Sequence, residues 1–370
     1  MKMLKTNKKI SLLISSLSGG GAENVCVNIA NGLAENGWLV DLVVLDNNNA
    51  VYLERINSKV NIIVLNVRHT RHAALPLLKY LKKQKIEKIL IFSYELSVLA
   101  IMLRFFFKLE IKIISRNINT FSKNTGEEYS LWRRYIVKPL INYFYCKNDF
   151  IINQCQAMKD DLINVFPELL NKTYVIYNPV SEHIEKYAST HELTTENKQD
   201  YLLCIGRLEK QKAFHYAIEA FAKLKETYPT LRLKLVGQGS LESELKQQAI
   251  DLGIETEVDF EGFQKNTIPF YLNAKATLLT SLYEGFPNVL IESITLGTPV
   301  IAFDCPSGPH EIIQPKLNGH LVKYKCVNSL VEACDDLLSN GIGMESIIST
   351  AKSYSTKVII KKYSDFLASK

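Results

Sequence analysis

Short apolar runs alternate with amphipathic stretches along almost the whole chain. Residues 10–17 form the first run and end in turn residues. Val25, Ile29 and Leu33 then recur at helical spacing, and Gly37 supplies a stop. Residues 39–45, 89–92, 111–114, 150–152 and 174–177 repeat the strand pattern, with Met158, Leu162 and Val165 marking a helix between the last two. Brief apolar runs separated by helices predict a parallel sheet buried on both faces. The pattern lapses between Asn178 and Asp200, where a polar stretch with no apolar period predicts a linker. It resumes with strands at 201–205, 231–236, 258–260, 277–280 and 300–303, and helices at 213–226, 241–252 and 287–296. The expected organisation is a domain over 1–180, a linker over 181–200, a second domain over 201–343, and a helical segment over 344–370 crossing the domain junction. The expected fold class is α/β, with two Rossmann-like parallel domains facing across a cleft. Ligands of such sheets bind outside the carboxyl ends of the strands.

Composition agrees with this picture. A chain of 370 residues exceeds one ordinary core. Its 47% hydrophobic and 22% charged residues exclude a disordered chain. Seven cysteines, odd in number and without CxxC spacing, predict reduced and mostly buried thiols. The most apolar stretch, 96–107, is shorter than the roughly 20 residues a bilayer requires and contains Arg104. The basic N-terminus (Lys2, Lys5, Lys8, Lys9) before an apolar run invites a signal-peptide reading. That run holds three serines and lacks a small-x-small cleavage site, so a first buried strand is expected instead. A cytoplasmic location follows from these readings. Charge changes the picture more. Residues 1–180 carry 24 Lys and Arg against 14 Asp and Glu, and residues 181–370 carry 20 against 24. The first half is therefore expected to face an anionic surface or substrate.

Four stretches carry candidate chemistry. Ser18-Gly19-Gly20-Gly21-Ala22-Glu23 follows a strand and opens a helix, where glycine lets backbone N–H groups approach an anion. It is not the GxGxxG fingerprint, which disfavours a nicotinamide-dependent dehydrogenase. Gly206-Arg207-Leu208-Glu209-Lys210-Gln211-Lys212 ends the first strand of the second domain. Arg207 can fork onto two phosphate oxygens and Lys212 adds a point charge. Glu284-Gly285-Phe286-Pro287-Asn288-Val289-Leu290-Ile291-Glu292 follows another strand. Pro287 suits a first helical turn, the N–H groups of Asn288 to Leu290 would point at the cleft, and Glu292 lies ~7 Å further along the axis. Last, 304–313 is expected to bring backbone at Ser307 and Gly308 close to whatever the Glu284 loop binds, with His310 as a structural or capping residue. No acidic cluster suits a divalent cation, so no metal or cofactor is expected. Asp259 and Glu261 are the nearest to one, and they lack a further ligand.

In this order, the four stretches resemble the family-4 retaining glycosyltransferases of the GT-B fold, over essentially the whole chain. The resemblance implies that Glu284 contacts the donor sugar, Glu292 holds the ribose, and Arg207 and Lys212 bind the diphosphate. It places Gly20 and Gly21 against the donor phosphates and the acceptor. Gly206, Gly285 and Phe286 belong to the same donor site, and Asn288, Val289 and Leu290 offer backbone amides. Many relatives carry a histidine in the loop matching Ser115-Arg116-Asn117; this chain has Arg116 and Asn117 there, expected on the acceptor side. His69, His72 and His183 are expected at the surface.

The implied activity is retaining transfer of a hexosyl or N-acetylhexosaminyl group from a nucleotide-sugar donor, expected to be a UDP-sugar such as UDP-GalNAc, UDP-GlcNAc or UDP-Gal. The expected acceptor is a glycan or polyprenyl-diphosphate-linked glycan of bacterial surface polysaccharide assembly, with no nucleic acid involved. A sugar-nucleotide epimerase of the same fold and an inactive nucleotide-sugar-binding scaffold are the alternatives. Peripheral contact with an anionic membrane is expected from Arg68, Arg71, Lys79, Lys82, Lys83 and Lys85 interleaved with Leu75, Leu77, Leu78 and Leu81. Arg104 and Lys108 flank Phe105, Phe106 and Phe107, and Trp132, Arg133, Arg134, Tyr135 and Lys138 extend the region.

Overall fold

The computed structural model describes residues 8–48, 50–118, 120, 122, 135, 138–196 and 198–370. It divides into two compact units, Met1–Pro179 with Thr356–Lys370, and Val180–Ser355.

The first unit runs β1 (Lys9–Ile14), α1 (Gly21–Glu35), β2 (Leu39–Val44), β3 (Val60–Val64), α2 (Ala74–Gln84), β4 (Lys88–Ile91), α3 (Tyr94–Phe107), β5 (Lys112–Arg116), α4 (Lys138–Tyr145), β6 (Phe150–Asn153), α5 (Gln156–Val165) and β7 (Thr173–Val175). Its seven strands lie in the order β3-β2-β1-β4-β5-β6-β7, all parallel. Alternation in β1 explains both cores. Ile10, Leu12 and Ile14 join the cluster under α1, while Leu13 joins the opposite cluster under α2 and α3. Ser11 shares that second face and is satisfied by Tyr80 at 2.7 Å, whose hydroxyl donates in turn to Asp41. The strand β3 was not foreseen. It is an edge strand with only Val60 buried and Ile62 37% exposed.

The second unit contains α6 (Glu182–Thr190), β8 (Tyr201–Ile205), α7 (His215–Lys225), β9 (Arg232–Val236), α8 (Glu242–Asp251), β10 (Val258–Gly262), α9 (Ile268–Asn273), β11 (Ala276–Leu279), α10 (Asn288–Thr295), β12 (Val300–Phe303), α11 (Pro309–Ile312), β13 (Gly319–Val322), α12 (Val327–Asn340) and α13 (Met344–Ala351). Its six parallel strands are ordered β10-β9-β8-β11-β12-β13. The stretch expected as an aperiodic linker begins with α6, anchored by the buried Ile184 and packed on α10. One apolar position per turn is too sparse a period to stand out in sequence.

The helical segment 344–370 is divided between the units. Its first part, α13, packs on α10, and its last helix, α14 (Thr356–Ser369), belongs to the first unit. Ile359, Ile360, Tyr363 and Leu367 complete the core beneath α1 and β1. The approach is closest at Gly32 of α1, where a Cβ would stand 2.5 Å from Cγ1 of Ile360. Any side chain at position 32 would push α14 outward. Gly32→Leu should therefore lower stability by roughly 1–3 kcal/mol, the usual cost of overpacking a filled core. Urea unfolding measures it, and an unchanged midpoint would mean that α14 does not pack as described.

Candidate active site

Strand order points to a candidate site before any side chain is considered. In the second unit, connections leave β8 and β11 in opposite directions, and loops that part at such a switch point leave a crevice at the carboxyl ends. The loop after β8 holds Gly206 to Lys212, and the loop after β11 holds Ser281 to Pro287.

The two loops meet through charge. Lys212 Nζ lies 2.6 Å from Glu284 Oε1, and the Ser281 hydroxyl donates to the same oxygen at 2.6 Å. The Glu284 side chain is only 8% exposed and that of Lys212 15%. Backbone bonds reinforce the contact: Leu282 N donates to Gln211 O at 2.8 Å, and Gln211 Nε2 donates to Tyr283 O at 2.9 Å. Arg207 stands apart. It is exposed, and among the described residues its side chain makes no ion pair or hydrogen bond. Gly206 lies under the Lys212 stem, where a Cβ would come 3.0 Å from Cε.

The Glu284 loop is clamped from behind by 304–308. Ser307 donates its hydroxyl to the Glu284 carbonyl. Gly308 has φ +80°, and a Cβ there would meet Pro287 Cδ at 2.5 Å and Gly285 O at 3.0 Å. Gly285 is buried, and so is Phe286, whose ring lies 5.7 Å from Tyr354. Burial, then the Glu284 charge, push the Cys305 thiol up to about 12. It stays protonated beside the site and is no nucleophile at neutral pH.

Pro287 caps α10 from an extended conformation and stands one residue before the helix, not within its first turn. Of the amides expected to face a ligand, that of Leu290 is used inside the turn, donating to Pro287 O at 3.0 Å, and the Leu290 side chain is core. Asn288 and Val289 are half-buried in that turn. Glu292, one turn further, has both oxygens held: Ser181 donates to Oε1, and Tyr271 donates to Oε2 at 3.0 Å. Burial and the Glu292 carboxylate raise the Tyr271 pKa, which fixes the phenol as the donor.

Sequence reasoning missed Ser181, Tyr271 and Ser281, because a hydroxyl that orients a carboxylate has no spacing rule. It also missed Gly237-Gln238-Gly239 after β9, although glycines following a strand were a readable signal. A Cβ at Gly237, where φ is +144°, would lie 1.9 Å from Gly206 O, and one at Gly239 would strike the Leu208 backbone at 2.3 Å. These glycines let the β9 loop pack beneath the Arg207 turn. Asp259 and Glu261 are taken by neighbouring cations, Arg232 Nε at 2.9 Å and Lys234 Nζ at 2.7 Å.

In the first unit, exposed Gly20 caps α1 and exposed Gly21 opens it. Arg116 and Asn117, expected to face an acceptor, turn inward instead. Arg116 is fully buried, donating from Nε to Tyr363 at 2.8 Å and from Nη2 to Asn178, with its guanidinium 5.2 Å from the Phe92 ring. The Asn117 amide is shared among Asn153 at 2.7 Å and Tyr145. Both residues support the loop after β5 from within. His69, His72 and His310 are exposed, and His183 is half-buried.

Two family models match consecutive parts of the chain. "Glycosyltransferase Family 4" matches residues 19–183, and "Glycosyl transferases group 1" matches residues 188–354. The chain belongs to glycosyltransferase family 4. Among relatives of this glycosyltransferase is the amylovoran biosynthesis glycosyltransferase AmsD of Erwinia amylovora, 26% identical over 97% of this chain and 99% of that one. Another is the N-acetylgalactosamine-N,N'-diacetylbacillosaminyl-diphospho-undecaprenol 4-alpha-N-acetylgalactosaminyltransferase of Campylobacter jejuni. It is 26% identical over 90% of this chain and 91% of its own. Among solved structures, Anabaena Alr3699/HepE in complex with UDP superposes with a TM-score of 0.79. It is 20% identical, covering 98% of this chain and 100% of that one. The fold is GT-B, with two parallel Rossmann-like α/β units.

The clamp behind the Glu284 loop is directly testable in this glycosyltransferase. Gly308→Ala adds a methyl where neither the conformation nor the space permits one. Stability should fall by roughly 1–3 kcal/mol, and turnover by up to about 100-fold as Glu284 shifts. Normal turnover and melting in this variant would show that 304–308 does not hold the loop.

Proposed function

We propose that this glycosyltransferase moves a sugar from a nucleoside diphosphate donor to a glycan acceptor of a surface polysaccharide or lipopolysaccharide, with retention of anomeric configuration. The observation that carries the reading is the pairing of a preset cation with a free one. Lys212 is locked on Glu284, while the exposed side chain of Arg207, on the same turn, is available to an incoming anion. Together they suit a diphosphate whose charge grows as the sugar departs.

The donor is read as a UDP-sugar carrying a hexosyl or N-acetylhexosaminyl group. The UDP bound in the Anabaena structure supports the base, and the transferase names of the relatives support the sugar class. The acceptor is read as a polyprenyl-diphosphate-linked glycan, by analogy with the diphospho-undecaprenol in the Campylobacter name. Polysaccharide assembly follows the amylovoran relative. No helix among the described residues is long and apolar enough to cross a membrane. A lipid-linked acceptor therefore calls for peripheral contact of the first unit with an anionic surface, on the inner face of the cytoplasmic membrane.

Transfer proceeds by front-side attack. The bond between the anomeric carbon and the diphosphate oxygen breaks, and the acceptor oxygen bonds to that carbon on the same face. The acceptor proton passes to the departing phosphate oxygen, so no separate base is needed. Arg207 and Lys212 neutralise the leaving diphosphate, in the role a divalent cation would otherwise fill. Glu284 accepts hydrogen bonds from sugar hydroxyls, and Glu292 accepts them from the ribose. Gly20 and Gly21 let the backbone approach the donor phosphates and the acceptor.

Arg207→Ala and Lys212→Ala should each lower turnover by about 100- to 1000-fold, the loss of one preorganised donor to a developing anion. Near-normal turnover in both variants would remove them from the diphosphate. The two glutamates divide the donor between them. Glu292→Ala should weaken binding of free UDP in calorimetry, whereas Glu284→Gln should leave UDP binding within about threefold and lower transfer. Equal losses of UDP binding would contradict that division.

A further inference from the structure

The last turn of α3 carries Phe105, Phe106 and Phe107, which are 61, 65 and 45% exposed. Ring contacts extend this apolar surface onto α4. Phe105 meets Phe106 edge-on at 5.3 Å and Phe144 at 6.4 Å, and Phe144 meets Tyr143, itself 63% exposed, at 5.1 Å. Ammonium groups lie over the same rings, Lys82 Nζ 4.9 Å from Phe107 and Lys147 Nζ 4.5 Å from Tyr143.

Beside Phe107, at the amino ends of β4 and β5, is a cavity of about 420 Å³. Lys82, Lys85 and Lys108 line it, against the two acids Glu87 and Glu110. Lys85 and Lys108 follow α2 and α3 in left-handed conformations, with φ 46° and 50°, where glycine is the relaxed choice. Two strained helix ends thus present lysines to one cavity.

The structure redraws the basic and apolar region expected from sequence. Leu77, Leu78 and Leu81 are buried, and Leu75 alone of the α2 leucines is exposed, at 76%. Arg104 turns inward to Asp149 and to the carbonyls of Ile111 and Lys147. Trp132, Arg133, Arg134 and the side chain of Lys138 lie outside the described residues. The apolar contribution therefore comes from α3 and α4, and α2 supplies charge.

We propose that this surface is where the glycosyltransferase docks on an anionic phospholipid bilayer. Phe105, Phe106 and Tyr143 enter the headgroup boundary, and the cavity takes a phosphodiester headgroup among Lys82, Lys85 and Lys108. Charge complementarity points to that occupant, because lysines outnumber acids in the cavity and flank the rings. The rings also splay. Successive helical residues point about 100° apart, so three adjacent phenylalanines fan around the helix end. A fluid acyl boundary accommodates such a fan, whereas a rigid protein face meets one side of it. Aromatic rings beside lysines suit the interface between headgroups and acyl chains. This deepens the membrane contact proposed above and rests on that reading.

Flotation of the full-length protein with vesicles tests it, without donor or acceptor. Binding is expected to phosphatidylcholine vesicles containing phosphatidylglycerol, not to phosphatidylcholine alone, and should weaken in high salt. Lys82→Gln and Lys108→Gln should each weaken partitioning about fivefold, and Phe105→Ser with Phe106→Ser should abolish it. These side chains are exposed, so circular dichroism should be unchanged in every variant. Equal binding to both vesicles, no binding at low salt, or binding that ignores the variants would overturn the proposal. So would self-association of the free protein that the phenylalanine substitutions abolish. None of those results would bear on sugar transfer, which is assayed separately with a soluble glycan acceptor.

Discussion

Parallel strands cannot be joined by a hairpin, and the architecture of both units follows from that constraint. Each strand must be followed by a crossover, usually a helix, so every sheet is covered on both faces and its carboxyl-end loops are the variable part. The strand orders place β1 beside β4 and β8 beside β11, so each unit has one point where neighbouring loops diverge. The candidate chemistry lies at those points. Gly20 and Gly21 follow β1, Arg207 and Lys212 follow β8, and Glu284 follows β11. Crowding around the second crevice explains the glycines that carry no chemistry. Gly237 lets one loop pass under Gly206, and Gly308 lets another pass behind Pro287.

Within that crevice the Lys212–Glu284 pair sets the electrostatics. A nearly buried carboxylate is costly unless paired and hydrogen-bonded, and Glu284 has both an ammonium and the Ser281 hydroxyl. The pair therefore holds Lys212 in place before any substrate arrives, and that fixed geometry is what electrostatic catalysis requires. It also means that Lys212 arrives partly neutralised. Arg207, on the same turn, is exposed and has no ion pair among the described residues. The two cations are thus differently placed: Lys212 is held by an acid, and Arg207 is exposed on the same turn.

Much of this was legible in sequence, for identifiable reasons. Strands β1, β8 and β12 are continuous apolar runs between clear turn residues, and they were located within a few positions. The strands β3 and β13 were missed, although the other two edge strands, β7 and β10, were found. The α6 helix was hidden because only Ile184 of its nine residues is buried. For the candidate site, motif spacing singled out Lys212 and Glu284, which the fold brings together at 2.6 Å. Spacing could not reveal Ser181 or Tyr271, which reach Glu292 from 111 and 21 positions away. Nor could it show that the Leu290 amide is spent within its own turn.

Arg116 marks the limit of reading a residue by its type. An arginine at the carboxyl end of a strand suggests an anion contact, yet this one is buried among Tyr363, Asn178 and the face of Phe92. A guanidinium tolerates such a site better than an ammonium does, because its charge is delocalised, weakly hydrated and suited to an aromatic face. Tyr363 belongs to the terminal helix α14, 247 positions away. Arg116 and the apolar face of α14 therefore make the first unit dependent on the last residues of the chain. Ile359, Ile360, Tyr363 and Leu367 fill the core beneath β1, whose other parts are all present by Pro179. The second unit draws its contacts from one continuous segment and can complete its core alone. The first must close a loop spanning that entire unit before α14 can dock, and loop closure before contact is what slows such assembly. The contacts of longest sequence separation therefore fall in the first unit, whose final helix returns across the whole of the second.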